Sequence, residues 1–300
     1  MAKAANSKGA EALGLCPEIS AATTDSLSAI VGALPELPGA NWDKILDGAV
    51  AEEIKALMIF GASPLQTGVD YERIKKSLDS LEFLVVADLF ETQTSAMADV
   101  VLPISSFAEY SGLYVNLEGR VQETSPAMRP AGSSLPGYEA LNLIAQKFDY
   151  SLYLDGPALL TEASEIIEKY RPEKRKPLLM ESHHATVEPP SEDALPLYVG
   201  DALHHFGHWT EHSHSLSAFD SEPRIELSAS LAKRLGIADG EKVRITGAPG
   251  EKIIMAASIS QVLKGNVVYA TLNFSQTQVN CLLDHTRRVN FVTLKKTEKS

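Results

Sequence analysis

A fourteen-residue stretch, EYSGLYVNLEGRVQ at residues 109–122, places an asparagine, two carboxylates and a guanidinium around two glycines. Two carboxylates that converge on a substrate cleft can perform general acid–base catalysis. Here Arg120 lies in the same stretch as Glu109 and Glu118, and a nearby guanidinium keeps carboxylates ionised. Ionised carboxylates are unsuited to proton donation at neutral pH, so this composition argues against an acid–base site.

The same stretch has the pattern of a β-hairpin. Leu113, Val115 and Leu117 alternate with polar residues, which is the period of a half-buried strand. Gly119 can adopt a positive φ and reverse the chain tightly. We therefore expect a structural hairpin with local ion pairing rather than a catalytic cluster.

A histidine-rich segment, HHFGHWTEHSH at residues 204–214, is the second candidate for chemistry. In a helix, His204, His208 and His212 would lie on one face. A glycine, a β-branched residue and serines within the segment favour a loop, and a structural zinc ion needs a closed tetrahedral ligand set. We expect no metal site here.

The elements that position candidate ligand-binding residues form an α/β domain. Continuous apolar runs, typical of buried parallel strands, occupy residues 56–60, 83–87 and 99–104. Between the first two runs, apolar residues over 70–81 have helical spacing. This order predicts a parallel sheet covered by helices.

Ligands bind at the carboxyl ends of such strands. Gly61 and Ser63 follow the first predicted strand, and Asp88 and Thr94 follow the second. Small residues let a ligand approach the backbone, and hydroxyl groups can bind phosphate, but α/β loops without a ligand have the same composition. The sequence lacks GxGxxG and GxxxxGK[ST], so no nucleotide is specified.

The chain divides into two predicted domains. Helical spacing continues over residues 139–148 and 157–170, which complete an α/β domain at residues 1–170. A proline- and charge-rich linker is predicted at 171–196, and a second domain at 197–300.

The second domain has the pattern of a compact β-barrel. A strand-like RIEL precedes a short predicted helix at 228–235 with Ser228 as its N-cap. The remaining β-branched runs are EKVRITG, EKIIMAASIS, NVVYATL and VNFVTLKK, separated by turn residues. Such short, regularly spaced strands suit a barrel.

Composition excludes several classes of function. The net charge is −12, and the last hundred residues carry 12 basic and 10 acidic residues, so the first 200 are strongly acidic. Nucleic-acid binding, which needs a basic surface, is not expected. Cys16 and Cys281 are too few thiols for an iron–sulfur cluster.

No apolar run reaches the ~18 residues of a membrane span. The first residues lack the apolar core of a secretory signal. We expect a bacterial cytoplasmic protein.

Several motifs in order resemble the molybdopterin oxidoreductase superfamily. They are AANSKGAEALG, IKALMIFGASP, VVADLFETQTSAMADVVLP, FAEYSGLYVNLEGRVQ, and near the end PRIELSASLAKRLGIADGEKVRI and NVVYATLNFS. The Glu-Gly-Arg at 118–120 resembles the large peripheral-arm subunit of bacterial respiratory complex I, which is the G subunit of NADH-quinone oxidoreductase. The resemblance implies a partial Rossmann-like α/β domain followed by a double-psi β-barrel that binds the molybdopterin dinucleotide.

The resemblance also implies site residues. Gly61, Ser63, Asp88 and Thr94 match one side of the family's pterin-dinucleotide pocket. His205, Gly207 and Thr210 fall in a loop that lies beside the pterin in the family. In complex I the corresponding domains hold no pterin, so the resemblance implies a vestigial pocket with no cofactor and no catalytic residue on this chain.

The family's cluster-binding amino-terminal half has no counterpart here, so the expected chain is a split carboxyl half of that large subunit. The resemblance then implies a structural, non-redox role in the peripheral arm, on the cytoplasmic side of the inner membrane. Iron–sulfur clusters and FMN would belong to partner subunits. The alternatives are a formate dehydrogenase-like fragment that shares molybdopterin guanine dinucleotide with a partner chain, and a free-standing binding module.

Overall fold

The computed structural model describes residues 6–15, 21–34, 39–116, 118–153, 155–170, 187–205, 207–219, 222–247 and 250–297. Most of the predicted linker, residues 171–186, lies outside them. The helices are α1 (Ser7–Ala12), α2 (Ala21–Val31), α3 (Trp42–Val50), α4 (Pro64–Thr67), α5 (Tyr71–Asp79), α6 (Gly137–Gln146), α7 (Gly156–Lys169), α8 (His208–Glu211), α9 (His214–Ser217) and α10 (Ala229–Leu235). No helix in the described ranges has the length and apolar character needed to cross a membrane.

Most strands follow the predicted runs closely. The strands are β1 (Ala56–Phe60), β2 (Phe83–Asp88), β3 (Val100–Pro103), β4 (Gly112–Val115), β5 (Val121–Thr124), β6 (Leu195–Gly200), β7 (Arg224–Ser228), β8 (Lys242–Gly247), β9 (Lys252–Ser260), β10 (Val268–Thr271) and β11 (Asn290–Lys296). However, β6 was not predicted and begins within the predicted linker.

The chain forms two compact units whose boundaries interleave along the sequence. The first unit comprises residues 1–61, 81–89 and 99–182, and the second comprises 62–80, 90–98 and 183–300. The segments that follow β1 and β2 therefore belong to the second unit, although the strands themselves belong to the first. The predicted division at a single linker near 171–196 stays a prediction.

The first unit contains the expected parallel sheet, in the order β1-β2-β3. Ile59 pairs with Val86 between β1 and β2, and Ala87 pairs with Leu102 between β2 and β3. The central strand β2 is buried from Leu84 onward, as its continuous apolar sequence predicts. This confirms the predicted α/β fold.

Each strand of this sheet has a large apolar side chain that is partly exposed. Val101 on β3 is 47% exposed and Met58 on β1 is 42% exposed. Phe83, at the start of β2, is 46% exposed. Since parallel sheets are normally covered on both faces, this apolar surface suits contact with another protein.

The stretch EYSGLYVNLEGRVQ forms the predicted hairpin, in which β4 pairs with β5 in antiparallel register. The side-chain oxygen of Asn116 accepts hydrogen bonds from the backbone N–H groups of Glu118 (3.0 Å) and Arg120 (2.9 Å). Gly119 has φ +86°, a positive value that glycine adopts more readily than other residues. Leu117 lies outside the described residues.

The expectation of local ion pairing in this hairpin was wrong. Among the described residues, no ion pair joins Arg120 to Glu109 or Glu118. The Glu109 carboxylate instead accepts the backbone N–H groups of Ser106 (2.7 Å) and Ala131 (3.1 Å). Arg120 is exposed near the turn, where pairing contributes little in water.

The second unit contains a closed six-stranded barrel, in the order β10-β6-β11-β8-β9-β7. It confirms the predicted barrel. Its core includes Ile225, Leu227, Val243 and Ile245, all fully buried, and each such side chain contributes roughly 1.5–3 kcal/mol on burial. The predicted N-cap of α10 is also confirmed, because the Ser228 hydroxyl accepts the Leu231 N–H at 3.2 Å.

Candidate cofactor-binding region

Two of the seven predicted site residues lie at strand ends in the first unit. Gly61 directly follows β1, has φ +60°, and donates its N–H to the Ala87 carbonyl at 2.8 Å. Asp88 ends β2 and is 5% exposed, and its carboxylate accepts the Leu89 N–H at 2.7 Å. Both therefore lie at the carboxyl edge of the parallel sheet, as predicted from the strand pattern.

Ser63 and Thr94 lie in the second unit and contact each other. Ser63 immediately precedes α4, and its hydroxyl lies 3.0 Å from that of Thr94. The Thr94 hydroxyl oxygen also accepts the Leu65 N–H at 3.2 Å, one of the donors that the first turn of a helix leaves unpaired. These two hydroxyls fix the start of α4.

Three further predicted residues form one local group. The Thr210 hydroxyl lies 2.7 Å from the Gly207 carbonyl and 3.0 Å from Nδ1 of His205. Nε2 of His205 lies 3.0 Å from the carbonyl oxygen of Asn273. Because a carbonyl only accepts, Nε2 carries a proton. The His205 ring also stacks on Phe274 with ring centroids 3.7 Å apart.

Asn273 is a residue that the sequence reasoning missed. Its carbonyl accepts from both His205 and the side-chain amide of Gln66, the latter at 2.9 Å. Its own amide donates to the Asp201 carboxylate at 2.6 Å. Its φ of +70° is a left-handed conformation that asparagine adopts more readily than most residues. Asn273 thus joins the His205 group to α4.

Asn280 was missed as well. It is 4% exposed, and its amide nitrogen donates to the carbonyls of Leu65 (2.8 Å) and Gly68 (2.9 Å) at the two ends of α4. The available signal was its position in VNCLL, since a polar residue within an apolar run must find hydrogen-bond partners when buried.

The predicted side chains of the second unit are interior groups. Ser63, Thr94, His205 and Thr210 are at most 3% exposed, and the contacts above occupy their polar atoms. A pterin contacts a side chain only where that side chain has accessible surface. In this conformation the polar atoms of these four residues are therefore bonded within the second unit.

The histidine-rich segment contains two one-turn helices, α8 and α9, where a loop was expected. His212 stacks on Phe90 with centroids 4.0 Å apart, and His204 packs against Phe219 at 5.2 Å. In the described part of the chain, the group with metal-ligand proximity lies elsewhere, at Asp70, Asp284 and His285. There, Asp284 is bonded to Thr286 and Arg287, and His285 to Asp70.

Comparison with known proteins assigns both parts of the chain. Residues 3–147 match the molybdopterin oxidoreductase family, and residues 195–300 match the molybdopterin dinucleotide binding domain. The chain is 30% identical over 273 residues to the NADPH-Fe(3+) oxidoreductase subunit alpha of Geobacter sulfurreducens, covering 88% of this chain and 32% of the relative.

Two other relatives are named for different activities. The G 2 subunit of NADH-quinone oxidoreductase from Rhizobium meliloti is 27% identical over 286 residues, covering 90% of this chain and 33% of the relative. The F420-dependent formate dehydrogenase subunit alpha of Methanocaldococcus jannaschii is 30% identical over 271 residues, covering 77% of this chain and 40% of the relative. The chain spans about a third of the length of the first two relatives.

The fold is also found in a solved structure. Acetylene hydratase from Pelobacter acetylenicus matches with a TM-score of 0.63 and 14% identity, over 98% of this chain and 51% of that chain. This likeness concerns the fold alone. From the family matches, the parallel sheet and the closed barrel together, the chain belongs to the molybdopterin oxidoreductase family.

Proposed function

We propose that this chain is a structural, non-redox component of a complex I-like NADH:quinone oxidoreductase, equivalent to part of its G subunit. In this role it docks on a separate chain that carries iron–sulfur clusters, on the cytoplasmic side of the inner membrane. Flavin and clusters then belong to partner subunits, and the pterin-dinucleotide pocket of the family is vestigial.

The observation that carries the proposal is the internal bonding of the predicted cofactor residues. A functional pterin pocket needs polar groups whose hydrogen bonds point into the cavity. Ser63 and Thr94 use their hydroxyls on each other and on a helix terminus, and the two ring nitrogens of His205 each lie 3.0 Å from a polar atom of Asn273 or Thr210. Redirecting one of these buried groups toward a ligand costs about 1–3 kcal/mol of folding free energy, since its former hydrogen-bond partner is left unpaired.

Docking on another chain is supported by the exposed apolar side chains of the parallel sheet. Val100 and Val101 are neighbours on β3 and are 38% and 47% exposed. A sheet edge with apolar residues in solvent favours pairing or packing with another protein. The two cysteines of these 300 residues cannot hold a cluster, so electron transfer is assigned to the partner.

Purification of the intact assembly from gently solubilised membranes tests this function. The proposal expects the chain to co-migrate on native gels with cluster-bearing and flavin-bearing chains and with NADH dehydrogenase activity. A chain that migrates alone under these conditions would contradict it and would favour the free-standing module.

The second candidate is a shared pterin-dinucleotide site in a formate dehydrogenase-like enzyme. It is favoured by the match to the dinucleotide binding domain and by the 30% identity to the formate dehydrogenase subunit of Methanocaldococcus jannaschii. In that enzyme this chain would complete the site with a partner chain. Molybdenum and guanine nucleotide in the purified assembly distinguish this candidate from the first.

A further inference from the structure

A cavity of about 810 Å³ lies within the first unit, away from the predicted cofactor residues. Its walls are the β4–β5 hairpin, the start of α6 and one face of α7. On α7 the lining runs from Gly156 to Glu168, a distance of about 18 Å along the helix. The volume is in the usual range of small-molecule sites.

The cavity is strongly acidic. Its charged lining residues are Glu109, Glu123, Glu139, Glu165 and Glu168, and no lysine, arginine or histidine is among the described residues that line it. The Glu109 carboxylate is held in place, because both of its oxygens accept backbone N–H groups. Like charges that share one concave surface repel each other and attract a cation.

Tyrosines form an aromatic wall beside these carboxylates. The rings of Tyr110 and Tyr138 both line the cavity and meet edge to face, with centroids 5.9 Å apart. Tyr153 packs against Tyr138 at 6.0 Å. Burial, and then the negative charge of Glu139, raise the pKa of Tyr138, so this phenol is uncharged at neutral pH. Neutral tyrosine faces attract ammonium and guanidinium groups.

We propose that this cavity binds a small organic polycation, in which ammonium groups are joined by short aliphatic stems. The carboxylates line the cavity from β5, α6, α7 and the segment before β4, so they match separate positive charges. The tyrosine rings and the Leu113 and Leu160 side chains, which also line the cavity, match the methylene groups. This site does not depend on the proposed function.

Calorimetric titration of the full chain with spermidine tests the site. We expect saturable binding with one ligand per chain. Glu139→Gln and Glu165→Gln should each weaken binding about fivefold, the effect of one carboxylate about 4 Å from a cation in water. Tyr138→Leu should weaken it about threefold, whereas Tyr138→Phe keeps the aromatic face and should retain the affinity.

Glu118→Gln is the matched control, since Glu118 is exposed at the hairpin turn and does not line the cavity. The Glu118→Gln variant should bind spermidine with the same affinity as the unmodified chain. Circular dichroism confirms that each variant is folded. A lysine-rich peptide could instead bind more tightly than spermidine, with the same dependence on Glu139 and Glu165. That result would overturn the small-molecule ligand and show that the cation site binds a lysine-rich partner protein. No saturable binding at millimolar spermidine, or equal weakening by Glu118→Gln and Glu139→Gln, would refute the site.

Discussion

The hydroxyl groups of Ser63 and Thr94 lie 3.0 Å apart and are both buried, although 31 residues separate them in sequence. Both were predicted to face a ligand at the carboxyl edge of the sheet. In the structure each hydroxyl instead contacts the other, and Thr94 also accepts the N–H of Leu65. The pair stabilises the fold of the second unit.

Substitutions at this pair should therefore change stability. Thr94→Val leaves the Leu65 N–H unpaired and should lower the free energy of unfolding by about 1–3 kcal/mol. Ser63→Ala should lower it by about 1 kcal/mol. The double variant should lose less than the sum, by about 0.5 kcal/mol or more, because the two residues share one bond. Urea unfolding measures all three variants, and strictly additive losses would argue against the bond.

Asn280 should be among the most sensitive polar positions of the second unit. Asn280→Ala leaves the carbonyls of Leu65 and Gly68 without their donor and should cost about 2–3 kcal/mol. Asn280→Asp should cost more at neutral pH, because a carboxylate would face two carbonyl oxygens. Asn266→Ala, at an exposed asparagine, is the control and should cost less than about 0.5 kcal/mol. Thermal unfolding of the three variants side by side provides the measurement, and equal losses at 266 and 280 would contradict this role.

The fold was largely predictable because its strands are local patterns. β2 is a continuous apolar run buried on both faces, and β8 to β11 are β-branched runs separated by turns. The interleaving of the two units was not predictable, since residues 62–80 and 90–98 join the second unit through contacts that are distant in sequence.

The role of the candidate residues was harder to predict than their position. Strand ends follow from periodicity, so Gly61 and Asp88 were placed correctly at the edge of the sheet. The direction of a side chain in the following loop depends on partners far along the chain. Asn280, for example, contacts Leu65 across 215 residues, and no local pattern encodes that contact.

The thiol of Cys281 should make stability depend on alkaline pH. Burial, followed by the charges of Glu251 and Glu72, raises the pKa of this thiol from 9.0 to about 11. The folded state therefore favours the neutral thiol. The resulting stabilisation is complete below about pH 9 and is lost as the pH rises toward about 11.

Urea unfolding of the unmodified chain and of Cys281→Ala across this range checks the prediction. The alkaline decrease in stability should be smaller in the variant, even though the variant is less stable at neutral pH. Identical pH slopes in the two proteins would show that another group is responsible.

The exposed strand β3 should mediate contact with the partner chain. Val101→Glu places a charge at a position that is 47% exposed, so the isolated fold should change little, by less than about 0.5 kcal/mol. If β3 lies in the interface, the introduced carboxylate is buried there without a partner. Co-purification of the cluster-bearing chain should then fall at least about tenfold. Val262→Glu, at an 85% exposed valine in the second unit, is the control and should leave the assembly intact. Equal recovery of the partner with both variants would exclude β3 from the interface.

Molybdenum and guanine nucleotide analysis of the purified assembly tests the central claim most directly. The internal hydrogen bonds of Ser63, Thr94 and His205 predict an assembly that contains iron but neither stoichiometric molybdenum nor a guanine nucleotide released by acid. One molybdenum and matching guanine nucleotide per copy of this chain, lost together in a variant that disrupts the His205 group, would contradict the structural role and establish a working pterin-dinucleotide site.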